Sequence, residues 1–273
     1  MAKCYFYNED CLASMKRMQE KGFKVDLVLS SPPYNTGRPS NSKRSIENLE
    51  SRYDIHLDDM TDEQYAKWIT DIFNNFDKIL NKNGVILWNV SYGNEKPNSM
   101  WVSLLSILQN TNFMIAEMIV WKKKSALPNN VSPNKLTRII EPVFVICRKD
   151  EFNTFNANKQ VKSVSKTGQK YYENIYNFIE APNNDGSCEL NKATYSSELC
   201  DKLLNIYAKK DSIVYDPFMG TGTTAIACEG YGDENMICVG SELSEAQVEY
   251  SKNRLKEFRM YGLKTIKINK DGK

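Results

Sequence analysis

Apolar residues follow two rhythms along this chain, and the switches between them mark the elements. Val25-Asp26-Leu27-Val28-Leu29-Ser30 is a short apolar run closed by two prolines, which predicts a buried strand stopped by its loop. From Thr61 the rhythm becomes helical. Thr61 and Gln64 have capping-box spacing, and Tyr65, Trp68, Ile69, Ile72, Phe73, Phe76, Ile79 and Leu80 recur at i, i+3, i+4, i+7, so one face packs on a sheet. Asn83-Gly84 is expected to end this helix, with a strand from Val85 to Val90 behind it. A helix over 101–108 and strands over 114–121 and 141–147 follow on the same reasoning.

The last third predicts an amphipathic helix from Ser196 to Tyr207, a strand at Ile213-Val214-Tyr215, a Gly/Thr turn, a helix from Thr223, a strand over 236–239 and a helix over 245–258. Strand, turn, helix, strand at this pitch is a βαβ unit, so the class is α/β with a mostly parallel sheet flanked by helices. Two segments break the pattern. Residues 37–60, rich in Gly, Pro, Ser, Asn and alternating charge, read as a long mobile loop, and loops of that length in compact domains are functional or disordered. Residues 150–191 are polar with few apolar clusters and form a candidate insertion, dividing the chain into 1–149, 150–191 and 192–273.

Composition narrows the picture. A chain of 273 residues with 41% hydrophobic and 26% charged residues suits one soluble α/β domain with a small insertion. No apolar run approaches a membrane span and the start carries no apolar signal, so a cytoplasmic protein without a membrane partner is expected. Seven cysteines without paired zinc-type spacing read as free, mostly buried thiols. The single histidine, His56, excludes a histidine-based triad or metal site, and no metal is expected. A net charge of +2 says little, but Lys122, Lys123, Lys124, Lys135, Arg138, Arg148 and Lys149 fall in one middle region, while acids dominate 54–63. A local basic surface binds phosphate even on a nearly neutral chain; of these residues Lys122, Lys123, Lys124, Lys135 and Arg138 are the candidate phosphate contacts.

Two motifs carry chemistry. Asp216-Pro217-Phe218-Met219-Gly220-Thr221-Gly222-Thr223-Thr224 follows a strand and opens a helix. Its glycines permit close backbone approach to a ligand, and the helix start offers free N–H groups. Glu242 closes the next strand, at about the 20-residue offset where an acidic side chain binds ribose hydroxyls. Gly220-x-Gly222-x-x-Ala225 also satisfies the dinucleotide fingerprint, so a nicotinamide-dependent oxidoreductase is an alternative at this point. The second motif, Ser31-Pro32-Pro33-Tyr34, lies at the carboxyl end of a buried strand, where ligands sit in open α/β sheets. The prolines rigidify the loop and leave carbonyl acceptors, Tyr34 offers a stacking face, and the Pro32 carbonyl and Ser31 oxygen suit the two hydrogens of a ring amine.

Together the motifs resemble the amino-group DNA methyltransferases of the N4-cytosine/N6-adenine type, and their order resembles the circularly permuted β group of that family. The resemblance implies a Rossmann-like methyltransferase fold with residues 150–191 as a target-recognition insertion. It implies S-adenosylmethionine as cofactor and methyl transfer to the exocyclic amine of a flipped DNA base. Carried over, the catalytic residues are Ser31, Pro32, Pro33 and Tyr34. Asp216, Pro217, Phe218, Gly220, Gly222 and Thr223 are expected around the methionine and adenosine moieties, Glu242 with Leu243 at the ribose, and Asp10 near the adenine. Asn8-Glu9-Asp10-Cys11 lacks the family's glycine, and Lys192 to Tyr195 stands where relatives often carry a histidine. Ser31 points toward cytosine N4, whereas Asn35-Thr36-Gly37 resembles adenine enzymes; cytosine is placed first and adenine N6 second. DNA, a homodimer partner and a cognate restriction endonuclease are the partners the family suggests.

Overall fold

The structure is a computed structural model that describes residues 1–37, 60–93, 95–186, 190–191 and 194–262. In chain order the elements are β1 (Lys3–Asn8), α1 (Cys11–Glu20), β2 (Val25–Ser30), α2 (Asp62–Ile79), β3 (Leu80–Asn89), α3 (Ser99–Asn110), β4 (Phe113–Lys123) and β5 (Ile140–Arg148). They continue with β6 (Val161–Val164), β7 (Lys170–Tyr172), β8 (Phe178–Ala181), α4 (Ser197–Tyr207), β9 (Ile213–Asp216), α5 (Thr223–Gly230), β10 (Ile237–Glu242) and α6 (Glu245–Tyr261). Eight strands form one sheet in the order β1-β10-β9-β2-β3-β5-β4-β8, and only β5 runs against the others. This is the mostly parallel, helix-flanked α/β architecture that the patterning predicts.

Side-chain alternation sorts the strands' apolar residues into two cores. Leu27, Leu29, Val85, Leu87, Val143 and Val145 face α4 and α5 on one side. Val28, Ile86, Trp88, Phe144 and Ile146 face α1, α2 and α3 on the other. Helix α6 packs along α5 and β1. The apolar stripe of α2 is filled with aromatics: Phe73 meets Phe76, Trp88 and Phe113 edge-on, at centroid separations of 5.2, 5.2 and 5.7 Å. At its start the capping box forms, with Gln64 N donating to Thr61 Oγ1 and Thr61 N to Gln64 Oε1.

Several expectations change. Helix α2 stops at Ile79 rather than Asn83, because Leu80 already pairs with Val25 as strand. Arg148 donates to the carbonyl oxygens of Asp77 and Leu80 that the helix end leaves open. Asn83, at φ +60°, and Gly84 instead form a bulge within β3. A Cβ on Gly84 would stand 2.6 Å from Leu80 Cγ, so glycine is required there. The run of basic residues also splits. Arg148 and Lys149 lie at the far end of β5 and bind helix-end carbonyls, Lys149 those of Leu108 and Thr111. The insertion 150–191 is only partly separate: β8 belongs to the main sheet, pairing with β4, and the antiparallel β6–β7 hairpin alone stands apart. The loop expected near 37–60 lies almost wholly outside the described residues. No described helix is long and apolar enough to cross a membrane.

Candidate active site

Both sequence motifs emerge at the carboxyl ends of the parallel strands, where β1, β2, β9 and β10 finish side by side. A first cleft there is lined by Asp10, Ser31, Pro33, Trp68, Pro217, Phe218, Gly220, Thr223, Glu242 and Leu243, among others. Seven of the nine residues expected at the cofactor therefore share one wall; Asp216 and Gly222 do not reach it. Gly222 is the N-cap of α5 at φ +81°, and a Cβ on it would press Ser251 at 2.9 Å, so its task is helix packing. Gly220, at φ +52°, does open onto the cleft. Its N–H donates to Glu242 Oε2 at 2.9 Å, while Ser244 N donates to Oε1 at 2.9 Å, so both carboxylate oxygens are aimed by backbone. Burial pushes the Glu242 carboxyl above its ordinary value, against those two hydrogen bonds. Asp10 caps α1 through Leu12 N at 2.8 Å. Phe218 is wedged against Trp68 and Trp88, with centroids 5.5 and 6.2 Å away.

Asp216 has a different position from the one expected. It is fully buried and accepts from Ser30 Oγ at 2.6 Å, Thr224 Oγ1 at 2.5 Å, Tyr195 Oη at 3.3 Å and Phe218 N at 3.0 Å. Burial raises its carboxyl and the four donors act against that shift. The Ser30 bond ties the strand before one motif to the strand before the other, 186 residues apart. Asp216 thus joins the motifs from behind the cleft.

A second cleft of ≈ 470 Å³ adjoins the first, since Thr194 and Tyr195 line both. Its walls include Tyr34, Thr36, Ser91, Trp121, Lys123, Arg138 and Glu141. Pro32 and Pro33 are buried, and the Pro33 carbonyl accepts from Tyr65 Oη at 2.8 Å, which spends one of the two carbonyls the motif offers. Tyr34 holds its hydroxyl 2.8 Å from Ser31 Oγ, 2.9 Å from Asn89 Oδ1 and 3.4 Å from Glu141 Oε2. Asn35 is buried at φ +52° and uses its amide on Met60 and Ser99. It braces the loop.

Asn89 and Glu141 are site residues that motif reading misses. The signal in the sequence is a polar residue ending each of two apolar runs, Ile86-Leu87-Trp88-Asn89 and Glu141-Pro142-Val143-Phe144. The candidate phosphate contacts divide. Lys123 is a cleft wall, ion-paired with Glu141 over Trp121 and only 19% exposed. Lys122 pairs with Glu180 at 3.0 Å and Lys124 with Glu198 at 3.6 Å, both at the surface. Arg138 stacks on Tyr92 with its Cζ 4.7 Å from the ring centroid, and Lys135 is exposed. No cluster of three metal-binding side chains occurs among the described residues.

Comparison with known proteins gives the chain a family and its fold known counterparts. The N6/N4 DNA methylase family matches residues 25–253. The type II methyltransferase M.BglII of Bacillus subtilis is 23% identical over 89% of this chain, which spans 66% of that protein's length. Among solved structures, the PvuII DNA methyltransferase (cytosine-N4-specific) superposes with a TM-score of 0.65 at 16% identity, covering 97% of this chain and 94% of the other. The M1.HpyAVI complex with S-adenosylmethionine gives 0.59 at 19% identity, with 92% and 99% covered. At these identities the likeness to solved structures speaks for the fold.

Proposed function

The chain belongs to the DNA methylase family, and on that premise we propose that it methylates the exocyclic amine of a DNA base, with S-adenosylmethionine as donor. Membership also removes the oxidoreductase reading of Gly220 and Gly222. The observation that carries the proposal is the pair of adjoining clefts, with Ser31 lining the first and Tyr34 the second.

The first cleft fits an adenosyl group by its chemistry. Glu242 presents an anchored carboxylate for vicinal hydroxyls, and Pro217, Phe218, Leu243 and Trp68 present apolar faces for a flat ring. Gly220, Thr223 and Asp10 complete the holding set. The cofactor supplies an electrophilic methyl, so the chain's task is placement and hydrogen bonding. Where the clefts adjoin, Tyr34 from the second stacks on a base turned out of the duplex and Ser31 Oγ from the first accepts one amine hydrogen, with the carbonyl of the buried Pro32 between them as the second acceptor.

Cytosine N4 is the favoured target, on Ser31; adenine N6 is the alternative. Asn35, whose likeness to adenine enzymes pulled the other way, is buried and makes no use of its amide in either cleft. The phosphate contacts are better served by the β6–β7 hairpin than by 122–124. Lys159, Lys162, Lys166 and Lys170 of the hairpin region are exposed and make no ion pair with a described residue, whereas Lys122, Lys123 and Lys124 all do. A second copy of the chain and a cognate endonuclease are proposed from the family alone.

The test is to incubate the protein with duplex DNA and S-adenosylmethionine bearing a labelled methyl group, then digest the DNA and identify the nucleosides by mass spectrometry. Labelled N4-methylcytosine is expected. Labelled N6-methyladenine would reassign the base, and label on neither amine would overturn the proposal.

A further inference from the structure

Among the described residues, the hydrogen bonds of the Tyr34 hydroxyl are consistent in only one direction, and that direction reaches Ser31. Pro142 offers a carbonyl oxygen and no N–H, so the Asn89 amide must turn Nδ2 toward it, at 3.0 Å. This leaves Asn89 Oδ1, which can only accept, against Tyr34 Oη at 2.9 Å. Glu141 Oε2, 3.4 Å from the same hydroxyl, is a second acceptor, and its carboxylate is held by Lys123. A phenol has one O–H, so the Tyr34 proton is committed to that side. The proton between Tyr34 Oη and Ser31 Oγ, 2.8 Å apart, must then come from Ser31. Asn89 is fully buried, so its orientation is set by protein neighbours rather than by water.

We infer that Asn89 is a positioning residue that acts through Tyr34 to fix Ser31 Oγ as a hydrogen-bond acceptor, which makes the base slot select an amino group over a keto oxygen. The inference rests on the proposed role of Ser31-Pro32-Pro33-Tyr34 as the slot for the target base. With its own proton given to Tyr34, Ser31 turns lone pairs toward the cleft. The N–H of cytosine N4 or adenine N6 can donate to them. The O4 of thymine or uracil would meet them lone pair to lone pair, and no rotation of the Ser31 hydroxyl relieves that without breaking the Tyr34 bond. Tyr34 therefore has two tasks, a ring to stack on and a hydroxyl that orients its neighbour.

Neutron diffraction on crystals exchanged into D2O tests the direction without any turnover. A deuteron on Ser31 Oγ pointing at Tyr34, with the Tyr34 deuteron pointing at Asn89, is expected; a Tyr34 deuteron pointing at Glu141 would take the role from Asn89. A Tyr34 deuteron pointing at Ser31 would overturn the inference. Kinetics on duplex DNA tests its consequence. Tyr34→Phe keeps the ring but is expected to lower kcat roughly 10-fold, with KM for S-adenosylmethionine unchanged. Asn89→Leu is expected to lower kcat in the natural background and to add nothing in the Tyr34→Phe background. Equal losses from Asn89→Leu in both backgrounds, or full kcat in Tyr34→Phe, would reduce Asn89 to a packing residue. If the natural protein methylates no DNA, the functional proposal fails while the neutron result still decides the hydrogen-bond direction. If Asn89→Leu does not fold, Tyr34→Phe and the neutron map still decide it.

Discussion

Each oxygen of the Glu242 carboxylate accepts a backbone N–H, from Gly220 and from Ser244, before any ribose hydroxyl arrives. The side chain is therefore aimed in advance, and its setting has a pH signature. Because burial raises its pKa, Glu242 takes up a proton at a higher pH than an ordinary glutamate would. The protonated form loses acceptor strength, so KM for S-adenosylmethionine should rise as pH falls through that raised value. Glu242→Gln should raise KM about 10- to 100-fold at neutral pH and remove this acid limb, as measured by initial rates across a pH series. An acid limb that persists in the Gln variant would point to another group. Glu242 is legible in the sequence because an acid at a fixed distance from glycines is a local pattern. Asn89 and Glu141 are not, because what recruits them is the neighbourhood of β2, β3 and β5, which no spacing along the chain encodes.

Among the elements, the β6–β7 hairpin is the one with every residue of both strands exposed. Its apolar content is too small to bury, which is why the segment reads as irregular in the sequence. A two-stranded ribbon is narrow enough to enter a major groove, and its lysines are available for phosphate. Replacing Lys159, Lys162, Lys166 and Lys170 with alanine should flatten the dependence of log K on log salt by about 0.9 for each phosphate these lysines neutralise, with cofactor binding unchanged. An unaltered slope, measured by fluorescence anisotropy from low to high salt, would remove the hairpin from the interface. Other elements show what periodicity catches. Helix α2 is visible from its stripe and cap, whereas β1 alternates exposed and half-buried residues at the sheet edge and gives a weak signal. Strand β8 is short, lies in polar sequence, and becomes a strand by pairing with β4.

For the whole molecule, the sequence makes the α/β class and the place of both motifs legible, since repeated strand–helix alternation leaves few ways to stack the layers. It does not show how the two halves are joined. The adjoining strands β2 and β9 share only Leu27↔Val214 and Val28↔Tyr215 as register partners. Asp216, with donors from Ser30, Thr224, Tyr195 and Phe218, adds the joint that the ladder lacks. Asp216→Asn sets an NH2 among those donors and should cost about 1–3 kcal/mol in urea unfolding, with a concurrent loss of cofactor affinity. Unchanged stability would show that the donors readily find other partners.

That joint also bears on how the chain assembles. Early and late strands meet at two seams, β1–β10 over six residue pairs and β2–β9 over two; at the short one, sliding by one position would turn apolar side chains to the wrong face. A slid pairing also separates Asp216 from Ser30 and leaves a charge in the core short of a donor, at a penalty of several kcal/mol. The carboxylate so acts as a proofreader of the seam: only the correct alignment quiets it, and that alignment is the one that sets the two clefts side by side.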